Sequence, residues 1–295
     1  MPDQGINWLT AWELDPGLVI GLFLLLEAYL IGVGPARRRF QLGPPLRRSQ
    51  FALFLTGFLV LTLALLSPLH LLGEVYLFSA HMVQHLLVTL VVPPLLILGT
   101  PGWLLRPLLR APLVLPVARR ITSPLIAFVL FNLAFIVWHF PQLYDMALQD
   151  RLVHVLEHWT FLGSAMIMWW PLCSPVSELP RLPALGQLLY LFLLSIPSKI
   201  LGAILTFAPA PIYPTYEMAP RLWGIGVLSD QQIGGVIMWV PGGLALFVAF
   251  TVAFFLWLGR EEAAPTVIVP GPGRWQGTGQ ARPEALATPP PPPPP

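Results

Sequence analysis

Cysteine is almost missing: Cys173 stands alone in 295 residues. One thiol excludes an internal disulfide and any C-x-x-C metal or redox motif, and its expected role is small apolar filler. Charge is scarce too, with 10% Asp, Glu, Lys and Arg against 56% hydrophobic residues. A mean hydropathy of +0.72 then excludes an ordinary soluble domain. The long apolar runs do not alternate, which excludes a membrane β-barrel. The N-terminus carries Asp3, Glu13 and Asp15 and lacks a basic region ahead of its first apolar run. A cleavable signal peptide is therefore not expected, and the first span is expected to stay. The net charge of +2 says little about partners; the lipid bilayer is one, and no nucleic acid is expected.

What is present reads as an all-α, polytopic helix bundle. A crossing needs roughly 20 apolar residues, and seven segments qualify, at about 17–34, 50–69, 75–99, 122–140, 152–172, 184–208 and 232–258. Arg37, Arg38, Arg39, Arg47 and Arg48 lie between the first two, and Arg106, Arg110, Arg119 and Arg120 between the third and fourth. The alternate loops have almost none beyond Arg151 and Arg221. The positive-inside rule then places the N-terminus outside and the C-terminus in the cytoplasm. Proline at positions 68, 93, 94, 197 and 241 marks expected irregularities in the spans, and residues 101–120 read as an interfacial basic segment. Two regions result: a transmembrane domain, 1–258, and a proline-rich cytoplasmic tail, 259–295, expected to be disordered or polyproline II.

Polar residues are expensive inside a bilayer, and their presence there points to function. Five of the six histidines, His81, His85, His139, His154 and His158, lie in or at the ends of apolar segments. His81/His85 and His154/His158 are each four residues apart, so both rings of a pair share one helix face. At 1.5 Å per residue His81 lies roughly 9 Å and His85 roughly 15 Å below the outer end of span three, and His158 matches the depth of His81. Neutral imidazoles ligate copper, zinc, iron or haem, and two such faces supply several nitrogens without a carboxylate. His81, His85, His154 and His158 are the expected ligands, with His139 a fifth. A lone interfacial ring such as His70 or His139 is more simply expected to bond a carbonyl or headgroup.

Residues 154–158 also spell H-x-x-E-H, the inverted zinc-peptidase motif, but no soluble domain exists to build a peptide cleft. Glu157 is more simply an acceptor that orients a histidine, or a helix-start carboxylate. Glu27 and Lys199 fall roughly 13–15 Å from the outer ends of spans one and six, so an ion pair is expected. The last outer loop carries Tyr213, Tyr216, Glu217 and Met218. Ser229 and Gln232 suggest a capping box at the start of span seven, with Asp230 and Met238 on the rim of the histidine site.

These residues fall into a familiar pattern. His81-Met-Val-Gln-His85 followed by Pro93-Pro94, Trp138-His139-Phe140-Pro141, His154-Val-Leu-Glu157-His158 and Asp230-Gln231-Gln232-Ile-Gly234-Gly235 before Met238-Trp239 resemble the polytopic CtaG-type cytochrome c oxidase assembly factors. The resemblance covers spans three to seven in order. It implies a non-enzymatic multi-pass protein of the bacterial plasma membrane that aids maturation of haem–copper oxidase, with copper as cargo and oxidase subunits or other assembly factors as partners. The assignment of copper to particular histidines comes from depth and spacing alone. The alternative is a haem-binding membrane oxidoreductase or electron carrier, using one axial histidine from each of spans three and five.

Overall fold

A computed structural model describes residues 11, 12 and 14–263. Among them there is no strand, and the elements are α1 (Pro16–Phe40), α2 (Arg48–Leu66), α3 (Pro68–Leu71), α4 (Phe78–Gly99), α5 (Gly102–Leu109), α6 (Val114–Ile121), α7 (Pro124–Trp138), α8 (Pro141–Gln149), α9 (Arg151–Cys173), α10 (Ala184–Phe207), α11 (Pro214–Met218) and α12 (Val227–Ala263). Helices α1, α2, α4, α10 and α12 are long and apolar enough to cross a membrane. A sixth crossing follows if α6 and α7, bent by 72° where they meet, count as one. Helix α9 has the length, 23 residues, or about 35 Å, but its first turns carry the histidines. The chain is a multi-pass helical membrane protein. Large apolar side chains such as Phe23, Leu24, Leu189, Phe192 and Phe247 remain exposed on the outer faces of the helices, where lipid covers them.

Local chemistry explains where the helices begin. Asp15 accepts from the amides of Gly17 and Leu18 at 2.7 and 3.1 Å, and Asp150 from those of Leu152 and Val153 at 2.8 and 3.1 Å. Each fills two of the donors that a helix start leaves open. Proline opens α1, α3, α7, α8 and α11, a position where its missing N–H costs nothing.

Inside α4, Pro93 cannot donate to Thr89, and residues Leu87–Val91 widen into a π-helical turn. The Trp169 indole, from α9, donates to the freed Thr89 carbonyl at 2.9 Å. A proline irregularity thereby becomes a tie between two helices. At the other end of α4, Tyr29 donates to the Gly99 carbonyl at 3.0 Å and stacks on Phe54, ring centres 3.5 Å apart. Helices α10 and α12 press closest at Gly202 and Gly235, where a Cβ on Gly235 would fall 2.7 Å from the Gly202 carbonyl oxygen. Small residues allow this approach.

Three expectations change. Glu27 and Lys199 form no ion pair: α1 packs on α2, whereas α10 packs on α12 and α7, and the exposed Lys199 ammonium donates to Ser195 Oγ at 3.3 Å. Equal depth was readable; position around the bundle was not. Ser229 caps nothing, because α12 already starts at Val227. That helix runs on to Ala263, five residues beyond the expected boundary at 258; the tail from 264 lies outside the described residues.

Asp230, expected on the rim of the metal site, is the missing cap of α4. Its carboxylate accepts from Phe78 N at 2.7 Å, Ser79 N at 3.1 Å and Ser79 Oγ at 2.5 Å. Three donors at one buried carboxylate fix the register between α12 and the histidine-bearing end of α4. Asp230→Ala is expected to cost about 0.5–2 kcal/mol, read as a lower Tm, with bound metal unchanged. Loss of a metal equivalent in a folded variant would make Asp230 a ligand after all.

Candidate metal centre

All six histidines gather at one end of the bundle. Helix α4 contributes His81, Gln84 and His85; α9 contributes His154, Glu157 and His158; α3 and the π-helical turn after it contribute His70 and Glu74; and His139 ends α7. Gly73 is what lets α3 lie so close, since a Cβ there would sit 2.9 Å from the His81 Cα. The side chains form two groups, in each of which three ligating atoms lie within 4.8 Å of one another: His70, His154 and His158, and His81, His85 and Glu157.

The outer group floors an open cavity of about 420 Å³ that also meets Asp15, Gln149 and Arg151. Asp15 and Arg151 form an ion pair at its edge. Glu74 Oε1 lies 2.5 Å from His70 Nε2 and 2.7 Å from His154 Nε2. Burial pushes the Glu74 carboxyl up, but the two histidines more than offset this and hold it well below the usual carboxylate range.

The inner group is closed. His81 is 0% and Glu157 1% exposed. His81 Nε2 and His85 Nε2 are 2.7 Å apart, and Glu157 Oε1 lies 3.8 Å from His85 Nε2. Glu157 Oε2 is 4.0 Å from His154 Nδ1, which places the carboxylate between the two groups. Both Glu157 oxygens are buried without a hydrogen bond. Glu157, expected to orient a histidine N–H, accepts no hydrogen bond from one here and lies beside His81 and His85. The H-x-x-E-H segment is divided, its histidines in the outer group and its glutamate in the inner one.

Gln84 separates the groups. Its fully buried amide nitrogen is 2.9 Å from His70 Nδ1 and 3.1 Å from His158 Nε2. His158 Nδ1 donates to the His154 carbonyl at 3.2 Å, so its Nε2 carries a lone pair, and each amide hydrogen meets one acceptor. Behind His81, Tyr216 lies 3.4 Å from Nδ1, donates to the Gly73 carbonyl at 2.5 Å and contacts the Tyr144 hydroxyl at 3.2 Å. Burial pushes the Tyr216 phenol well above its ordinary range, so it keeps its proton. His139 joins neither group: Nδ1 bonds the Phe135 carbonyl at 2.7 Å. Met238 is buried against Phe78, Met82 and Tyr144.

Sequence reasoning missed His70, Glu74 and Gln84. His70 and Glu74 are four residues apart, and Gln84 shares a helix face with His81 and His85, so spacing carried a signal for each. Nothing local announced Tyr216 as the neighbour of His81, 135 residues away. Gln84→Leu is expected to remove the amide hydrogen bonds to His70 Nδ1 and His158 Nε2 and to cost about 1–3 kcal/mol in the metal-free protein. Metal bound at those nitrogens should recover most of that loss, so Tm is to be compared with and without metal; equal losses in both states would show that the amide does not compete with a metal for these lone pairs.

A family model described as cytochrome c oxidase caa3 assembly factor (Caa3_CtaG) matches residues 27–260. An uncharacterized protein of Mycobacterium bovis and one of Mycobacterium tuberculosis are each 26% identical over 276 residues, covering 86% of this chain and 40% of theirs. An uncharacterized protein of Mycobacterium leprae is 25% identical over 277 residues, covering 88% and 41%. The chain thus spans about two fifths of the length of these curated relatives. No solved structure matches it. The family match takes in every helix that bears the site, from α3 to α12, and the chain belongs to the cytochrome c oxidase caa3 assembly factor family.

Proposed function

We propose that this protein binds copper at the two histidine groups and hands it to cytochrome c oxidase, or to another assembly factor, at the outer face of the bacterial plasma membrane. In this reading seven helices span the bilayer, α9 among them, with the histidine end outside and the arginine-rich loops in the cytoplasm. The role is that of a carrier and not a catalyst.

The observation that carries the reading is Glu157. A carboxyl group 1% exposed, with neither oxygen hydrogen-bonded, is costly to bury as an anion, so it keeps its proton until a cation replaces it. Its nearest neighbours are imidazoles, which as neutral ligands suit copper, zinc or iron; the family's target, a haem–copper oxidase, selects copper among these. The outer group opens to solvent and can receive or release an ion, while the inner group shields one. The haem alternative meets a steric obstacle. His81 and His158 are 6.4 Å apart at ring centres, yet His85 packs 4.2 Å from His81 and Gln84 bridges to His158, leaving no slot for a macrocycle.

The test is copper and haem content of the detergent-purified protein after anaerobic copper loading. Wild type is expected to hold stoichiometric copper with no Soret band. His81→Ala/His158→Ala should lose it, and Glu157→Gln should bind about tenfold or more weakly, the scale of effect seen when groups beside a metal are altered. Bound haem, or copper retained in full by the double variant, would overturn the proposal.

A further inference from the structure

Beside the histidine cluster lies a second space, with about 50 Å³ open to a water-sized occupant, enough for an ion or a few waters. His85, His139, Met82, Met168 and Met238 line it. Two buried ring nitrogens of these residues have no partner, His85 Nδ1 and His139 Nε2.

The hydrogen-bond network fixes what those nitrogens present. Tyr216 gives its hydroxyl hydrogen to the Gly73 carbonyl, so its oxygen can only accept from His81 Nδ1, 3.4 Å away. His81 then carries its proton on Nδ1 and a lone pair on Nε2. The 2.7 Å contact between His81 Nε2 and His85 Nε2 needs one hydrogen, which must come from His85. With its proton on Nε2, neutral His85 has a lone pair on Nδ1. His139 reaches the same state by a shorter route: Nδ1 donates to the Phe135 carbonyl, leaving Nε2 bare. Both residues thus bring a naked lone pair to one cavity whose other heteroatoms include three thioethers. The ring centres of His85 and His139 are 6.3 Å apart, which leaves room for two metal–nitrogen bonds of about 2 Å each.

We propose that this cavity is a third metal position, selective for a soft monovalent cation such as Cu(I), with His85 Nδ1 and His139 Nε2 as nitrogen ligands and thioether sulfur from Met82, Met168 or Met238. Thioethers favour Cu(I) over harder divalent ions, and the cavity offers no carboxylate to neutralise a second charge. The identity of the ion rests on the copper reading above. His85 links this position to the inner group, because a neutral imidazole has one lone pair and serves one of the two at a time.

The experiment is anaerobic Cu(I) titration of the full chain in detergent, followed by X-ray absorption of the loaded protein. Wild type is expected to show copper–sulfur scattering, and Met82→Leu/Met168→Leu/Met238→Leu to lose it. Leucine nearly conserves methionine's volume, so that variant should fold and keep its histidine-bound copper. His139→Ala, which leaves every sulfur in place, should lose the same copper–sulfur scattering. Copper with only nitrogen and oxygen neighbours in wild type would overturn the third position and leave the histidine groups standing, with the cavity holding water. Sulfur scattering that survives in the triple variant would overturn it as well. Failure of wild type to bind any copper would overturn both this position and the function on which it rests.

Discussion

The site is governed by a shortage of hydrogen-bond donors inside a water-poor bundle. Six imidazoles and two carboxylates converge at one end, and a neutral imidazole brings one hydrogen and one lone pair. Where water is excluded, an unmet polar group costs about 1–3 kcal/mol, so each ring must find both a donor and an acceptor. Backbone carbonyls at Phe135 and His154, the Tyr216 hydroxyl and the Gln84 amide meet part of that need. Both Glu157 oxygens, Gln84 Oε1, His85 Nδ1 and His139 Nε2 are among the atoms left over. A surplus of lone pairs in a closed space is what a cation relieves.

The scaffold serves this cluster by fixing the ends of three helices. Asp230 anchors the start of α4 from α12, Asp150 starts α9 one turn before His154, and Gly73 lets the short α3 press His70 and Glu74 over His81. Deeper in, the break at Pro93 is converted into the contact from Trp169 to Thr89, which holds α4 and α9 side by side below the site. With both helices pinned above and below, the His81/His85 and His154/His158 faces meet at a fixed register.

The two histidine pairs, their common depth and their common end were legible because i, i+4 spacing and rise per residue are local properties of a helix. So was the membrane class. The partners of each residue around the bundle were not. Glu27 and Lys199 share a depth yet sit on helices that do not pack together, and Asp230 lies near the histidines in depth but spends its oxygens on an amide terminus. His139 ends its helix near this cluster but belongs to neither three-residue group, and shares a cavity with His85 alone among the histidines. His70 looked solitary in sequence because its companion, Glu74, lies in a π-helical turn at the edge of an apolar run. A sequence reports depth through hydropathy; azimuth comes from interhelical packing, which no local pattern encodes.

Gln84 gives the cluster a property suited to a carrier. A metal bound through His70 Nδ1 and His158 Nε2 would have to take their lone pairs from the amide that occupies them. Each hydrogen bond surrendered costs about 0.5–1.5 kcal/mol, so two weaken binding by about 1–3 kcal/mol, or roughly 5- to 150-fold. In the proposed carrier the same two bonds would re-form as the ion left, keeping the emptied rings in place. A resident cofactor would gain nothing from such a competitor. For an ion that is to be passed on, as proposed above, this device would keep binding no tighter than transfer allows.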